Sequence, residues 1–200
     1  MVFALLLAVS ALGWEIALEV EWRPTYCLTQ TCSKEWKIND FAITAFRPTT
    51  YKECICGKAY SDPGKDALGL LKHFFPHREQ SNGHMNLWKE QWERFGCCFP
   101  GFPTSTDYLS QAVSLLMDIH PMEKLMIAGI FPGKSADIGL YEQAFGHVVN
   151  IVCAGAVLST ITLYFDQSFQ LIDGPGRAHN CPGQVSWPVQ SARLSSVLEL

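Results

Sequence analysis

Apolar residues recur along this chain at spacings that assign most of it to helices or strands. Phe41–Arg47 alternates, with Phe41, Ile43 and Ala45 on one side, the period of a half-buried strand. A turn, Y-S-D-P-G at 60–64, precedes Asp66–Phe75, where apolar residues at 67, 70, 71 and 74 share a helix face. Asn86–Phe95 predicts a second helix with Asn86 as its N-cap. Thr106 or Asp107 caps a third that runs to about Ile119, and Pro121 suits the first position of a fourth ending near Gly129. Leu140–Val149 reads as a fifth helix. Ile161–Phe165 and Phe169–Ile172 read as paired strands across an Asp166-Gln167-Ser168 turn. Gln184–Trp187 reads as an edge strand stopped by Pro188, which has no N–H to donate. Val148–Phe165 is uncharged over 18 residues, but Asn150, Gly155, Ser159, Thr160 and Thr162 make it too polar for a membrane span. It reads as a helix end, a loop and a buried strand. Helices in the middle and strands at both ends predict an α+β fold. With no internal repeat, low-complexity tract or linker, one domain is expected.

Composition narrows the function classes. At 48% apolar and 17% charged, the 200-residue chain is neither disordered nor a coiled coil. A net charge of −4 and the lack of a Lys/Arg block exclude a general polyanion binder. Eight cysteines stand at 27, 32, 54, 56, 97, 98, 153 and 181. Their close pairs are C-x-C and C-C, not the C-x-x-C of zinc knuckles, so disulfides in an oxidising compartment are expected, with no metal or cofactor. Val2–Trp14 has the length of a signal-peptide core but lacks a basic start. Residues 1–20 are therefore a candidate leader, with the cleavage site open, and 21–200 the mature, monomeric domain.

Several segments carry a family resemblance: E-W-R-P-T-Y-C at 21–27, D-F-A-I-T-A-F-R-P at 40–48, L-W-K-E-Q-W-E-R-F-G-C-C at 87–98, I-A-G-I-F-P-G at 127–133, I-T-L-Y-F-D at 161–166 and L-I-D-G-P at 171–175. Together, over roughly 21–188, they resemble the acid ribonucleases of the T2 family, the plant S-like branch most of all. The resemblance implies an antiparallel sheet flanked by helices and stapled by disulfides, and a secreted or vacuolar protein. It also implies cleavage of single-stranded RNA through a 2′,3′-cyclic phosphate. Family members carry that chemistry on two motifs, F-T-I-H-G-L-W-P and F-W-x-H-E-W-x-K-H-G-T-C. A base must take the 2′-hydroxyl proton while an acid protonates the 5′-oxygen, and histidine serves both near neutral pH. A cation meets the charge that builds on the phosphorus.

This chain departs from the motifs at those positions. The first motif's His falls on Thr44 and its Trp on Arg47. In the second, the His falls on Glu90, the Glu on Gln91, the Lys on Arg94 and the last His on Phe95. Phe41, Ile43, Pro48, Trp88, Trp92, Gly96 and Cys98 keep the frame. One positioned acid or base contributes ~10²–10⁴-fold to rate, so loss of both predicts a catalytically silent homologue with a storage, defence or binding role. Arg47, Arg94 and Trp88 are the candidate contacts for phosphate or single-stranded RNA in an alternative RNA-binding reading. On an amphipathic helix, however, Trp88, Trp92 and Phe95 read better as core. A third reading is a weak endoribonuclease with Glu90 as base. A protein partner remains open. The histidines at 73, 77, 84, 120, 147 and 179 are assigned to surface or capping roles. The resemblance also implies the bridges Cys54–Cys98 and Cys153–Cys181, with Cys27–Cys32 closing a small loop and Cys56–Cys97 as an addition. A further bridge usual in plant members falls on Tyr164 and Gly174, so both of its halves are missing together.

Overall fold

The computed structural model describes residues 15–50, 56–176 and 179–190. Strand β1, Ile16–Trp22, leads into helix α1, Arg23–Thr29, whose first turn accepts Pro24 because the missing N–H has no partner to lose there. Strand β2, Phe41–Pro48, follows. Four helices come next: α2 Lys65–Phe74, α3 His84–Arg94, α4 Ser105–Ile119 and α5 Pro121–Ile127. Short β3, Ser135–Asp137, and α6, Ile138–Gln143, precede a hairpin of β4, Asn150–Ala154, and β5, Val157–Phe165. β6, Leu171–Ile172, and β7, Gln184–Ser186, complete the sheet. The sheet order is β2-β1-β5-β7-β3, with β4 and β6 also pairing β5. Its ladders are antiparallel except the contact of β5 with β7 at Val157 and Ser186. The α+β expectation holds.

The helices lay indoles and phenyls against this sheet. Trp22, Trp88, Trp92 and Trp187 are fully buried in one core with Phe41, Phe46 and Tyr108. Tyr108 of α4 donates its hydroxyl to the Phe46 carbonyl of β2, fixing helix to strand. Arg23 is equally buried. Its guanidinium donates to the carbonyls of Glu35 at 2.8 Å, Phe41 at 3.0 Å and His73, tying the start of α1 to β2 and the end of α2. Burial lowers its pKa to about 10.

Several boundaries differ from the sequence reading. Residues 16–20, placed above in a candidate leader, belong to β1, which β2 and β5 flank on both edges, so a boundary at 20 falls inside a central strand. α6 ends at Gln143, where a left-handed Gly146 follows, and the uncharged 148–165 stretch holds two strands instead of one. β7 pairs both β3 and β5 and is not an edge. The cap of α4 is Thr104, in a reciprocal box with Asp107, and α3 begins at His84. No helix among the described residues is long and apolar enough to cross a membrane.

Candidate functional site

Thr44 sits on an irregularity in the β1–β2 ladder. Glu19 pairs with Ala45 and Val20 with Ile43, which leaves Thr44 as the extra residue of a bulge. Its hydroxyl donates to the Glu19 carbonyl at 3.3 Å. The half-buried side chain lines a cleft of about 340 Å³ with Leu87 of α3, Tyr26, Trp36, His77 and Arg78. One turn after Leu87, Gln91 is buried, and its Oε1 accepts from the Phe46 N–H at 3.5 Å. The fold thus brings the Thr44 strand and the Gln91 helix to one junction.

The other positions of the second motif divide between surface and core. Glu90 and Arg94 are more than half exposed and form an ion pair along the helix at 2.9 Å. Such a pair contributes only about 0.3–0.5 kcal/mol. Phe95 is 7% exposed and packs in the core, with the Arg94 guanidinium 5.2 Å above its ring. Trp88 is fully buried and donates to the Phe75 carbonyl at 2.8 Å, so it offers no face to a ligand. Arg47 donates Nε to the Glu19 carboxylate at 3.1 Å. Both candidate phosphate arginines therefore already face a carboxylate.

The cleft also holds residues that motif reading did not place. Arg78 lies over the rings of Tyr26 and Trp36, at 5.3 and 5.8 Å, and its guanidinium is 2.7 Å from the carboxylate of Glu21. Burial pushes the Glu21 carboxyl up, against the pull of Arg78. His77 accepts at Nδ1 from the N–H groups of Glu79 and Gln80, at 3.2 and 3.1 Å. That assigns the ring proton to Nε2. His84 is buried, a correction to its surface assignment. Its Nδ1 accepts from the His77 N–H at 2.9 Å, its ring stacks on Trp88, and burial holds its pKa below the usual imidazole range. The available signal for this cluster was His77-Arg78 followed by His84, which has no meaning until α2 and α3 are placed. His147 and His179 pair elsewhere, with Asp173 and Glu142.

The disulfides Cys27–Cys32, Cys56–Cys97 and Cys153–Cys181 are present with Cα separations of 5.6, 5.9 and 5.1 Å, normal for such bridges. Cys98 is also disulfide-bonded, and Cys54 lies outside the described residues. The one group among the described residues able to converge on an ion is Cys56, Cys97 and Cys98. All three are bonded and offer no thiolate. Where plant relatives are expected to carry a further bridge, the Tyr164 ring occupies the space beside Gly174. A Cβ on Gly174 would come within 2.4 Å of that ring.

Comparison with known proteins identifies the fold and the family. No curated protein matches by sequence. Among solved structures, trichomaglin, described as an S-like ribonuclease, is 22% identical over 88% of this chain and 97% of its own, with a TM-score of 0.70. The self-incompatibility-associated SF11-RNase of Nicotiana alata is 20% identical over 88% and 99%, with a TM-score of 0.77. An RNase-related protein from Calystegia sepium is 19% identical over 88% and 97%, with a TM-score of 0.71. At these identities the likeness establishes the fold. The sequence profile of the Ribonuclease T2 family matches residues 15–181, and the chain belongs to that family.

Proposed function

We propose that this protein is a catalytically silent member of the family, working in the secretory pathway in a storage, defence or binding role. One observation carries the reading. At the junction of β2 and α3 the groups presented are a hydroxyl bonded to a backbone carbonyl, a buried carboxamide and a buried phenyl. None of them exchanges a proton near neutral pH. Glu90, the acid at the motif's first histidine position, is exposed and paired with Arg94. The cysteines support an oxidising compartment, and a leader compatible with β1 would end before Ile16.

The test is digestion of single-stranded RNA by the purified, oxidised protein at about pH 5, where an imidazole acid–base pair works best. The expected outcome is no cyclic phosphate product. Thr44→His, Glu90→His, Gln91→Glu and Phe95→His combined supply the control. Turnover by the natural protein overturns the reading, and its loss in Glu90→Gln would identify that carboxylate as the base. Salt-dependent RNA binding that weakens in Arg47→Ala and Arg94→Ala would instead favour a binding module that keeps the groove.

A further inference from the structure

The cysteines beyond the end of α3 form a cluster that the reading above does not use. Cys56 and Cys97 stand together on the wall of an open cleft of about 440 Å³, with Lys58, Tyr60 and Glu93 beside them. Cys56 is half-buried and Cys97 buried. The bonded sulfur of Cys98 completes the group, and all three sulfurs lie within 4.8 Å of one another. The Cys153–Cys181 bridge is a contrast. Both of its residues are buried, and the Asn180 side chain bonds the N–H and the carbonyl of Cys153 at 2.7 and 3.0 Å.

Exchange between a thiolate and a disulfide needs access to one sulfur and a path for the other to leave. We propose that the Cys56–Cys97 bridge is a thiol-exchange site for a low-molecular-weight thiol. The charged cleft walls, Lys58 and Glu93, suit one that carries amino and carboxylate groups. The incoming thiolate forms a bond to Cys56 Sγ as the Cys56–Cys97 bond breaks, and the electron pair leaves on Cys97, which takes a proton. The product is a mixed disulfide on Cys56 and a thiol on Cys97, with no net change of oxidation level. A second thiolate attacks the external sulfur, releases the oxidised small-molecule dimer and leaves both cysteines as thiols. The two small thiols have then supplied the two electrons. From that state the Cys56 thiolate attacks Cys98 Sγ, and the sulfur to which Cys98 was bonded departs as thiolate. Cys97 is a poor partner for Cys98, since adjacent Cα atoms are about 3.8 Å apart and a disulfide spans about 4.4 Å or more.

The test uses the full oxidised chain with reduced glutathione at neutral pH, quenched by acid and alkylation and mapped by mass spectrometry. Glutathione is expected on Cys56, with the Cys56–Cys97 bridge opening on the order of tenfold faster than Cys153–Cys181, because exchange follows sulfur access. Peptides linked through Cys56 and Cys98 are expected later. Equal or faster opening of Cys153–Cys181 would overturn the proposal, as would glutathione only at other cysteines. The double variant Cys56→Ser/Cys97→Ser should lose the fast phase, and a fast phase that survives there would also overturn it. If that variant does not fold, the map of the natural protein decides alone.

Discussion

His84 is a base that the fold keeps from being one. It is buried against Trp88, and its pKa falls, first of all because burial penalises the charged ring, with Glu35 pulling the other way. Folding therefore favours the neutral imidazole. This group's contribution to stability is complete above its unfolded pKa, about 6.5, and is lost as pH falls below that toward the lower folded value. Denaturant titrations at pH 7.5 and 5 are expected to show a shallower acid loss in His84→Asn, whose Oδ1 can still accept from the His77 N–H. Equal pH slopes in the two proteins would remove His84 from the account. An RNA digest at pH 5 should accordingly be paired with a near-ultraviolet spectrum in the same buffer. The four restoring substitutions also differ in what they ask of the fold. Glu90→His changes an exposed side chain, whereas Phe95→His places a polar ring in the core, at a cost of about 1–3 kcal/mol if its nitrogens stay unpaired. Thermal melts of the single variants should rank them in that order. The letters at Thr44, Glu90, Gln91, Arg94 and Phe95 were legible from sequence. The place of Phe95 in the core was legible as well, from the amphipathic pattern of the helix, but the burial of Gln91 was not, because helix periodicity alone cannot say which side of α3 faces β2.

Among elements, the pairing of β5 with β6 is reinforced by packing of Tyr164 against Gly174. Tyr164 pairs with Ile172, and two residues on, Gly174 donates its N–H to the Val148 carbonyl at 2.8 Å. The Tyr164 ring fills the space a side chain at 174 would need. Gly174→Ala should therefore destabilise by about 1–3 kcal/mol through overpacking, and the loss should shrink when Tyr164 is also made Ala. Additive losses in a double-mutant cycle would refute the coupling. The joint absence of cysteine at both places was visible in the sequence, but the ring that took the space was not. Helix α2 was legible from its apolar stripe, α4 from the polar residues near its start, and α5 from Pro121 in its first turn. The hairpin of β4 and β5 was legible only in its last part, Ile161–Phe165, because its register shifts between Val152 and Cys153 and the polar Ser159, Thr160 and Thr162 interrupt the apolar pattern. β1 alternates clearly, Ile16, Leu18, Val20 and Trp22 against Glu19 and Glu21, yet it follows an apolar run and merges with it.

At the scale of the whole molecule, β1 holds the two halves of the sheet together. β2, with Thr44 and Arg47, lies along one edge of it, and β5, which carries β4, β6 and the contact to β7, lies along the other. Its side chains serve both faces. Trp22 packs edge-on against Trp187, Glu19 receives Arg47, and Glu21 faces Arg78 beneath the Thr44 cleft. A chain beginning at residue 21 would lose Ile16 to Val20 and bring β2 and β5 to face each other with unpaired edges. Each buried backbone group left without a partner costs about 1–3 kcal/mol, and several would be left at once, against a total stability of roughly 5–15 kcal/mol for a domain. Such a chain is expected not to fold. One beginning at residue 15, where the family match also begins, is expected to give a cooperative thermal transition. The comparison is made by oxidative refolding of both, followed by near-ultraviolet circular dichroism and a count of free thiols. A folded, fully bridged product from residue 21 onward would show that the sheet closes without β1, and that the Thr44 cleft is held by α3 and the disulfides alone.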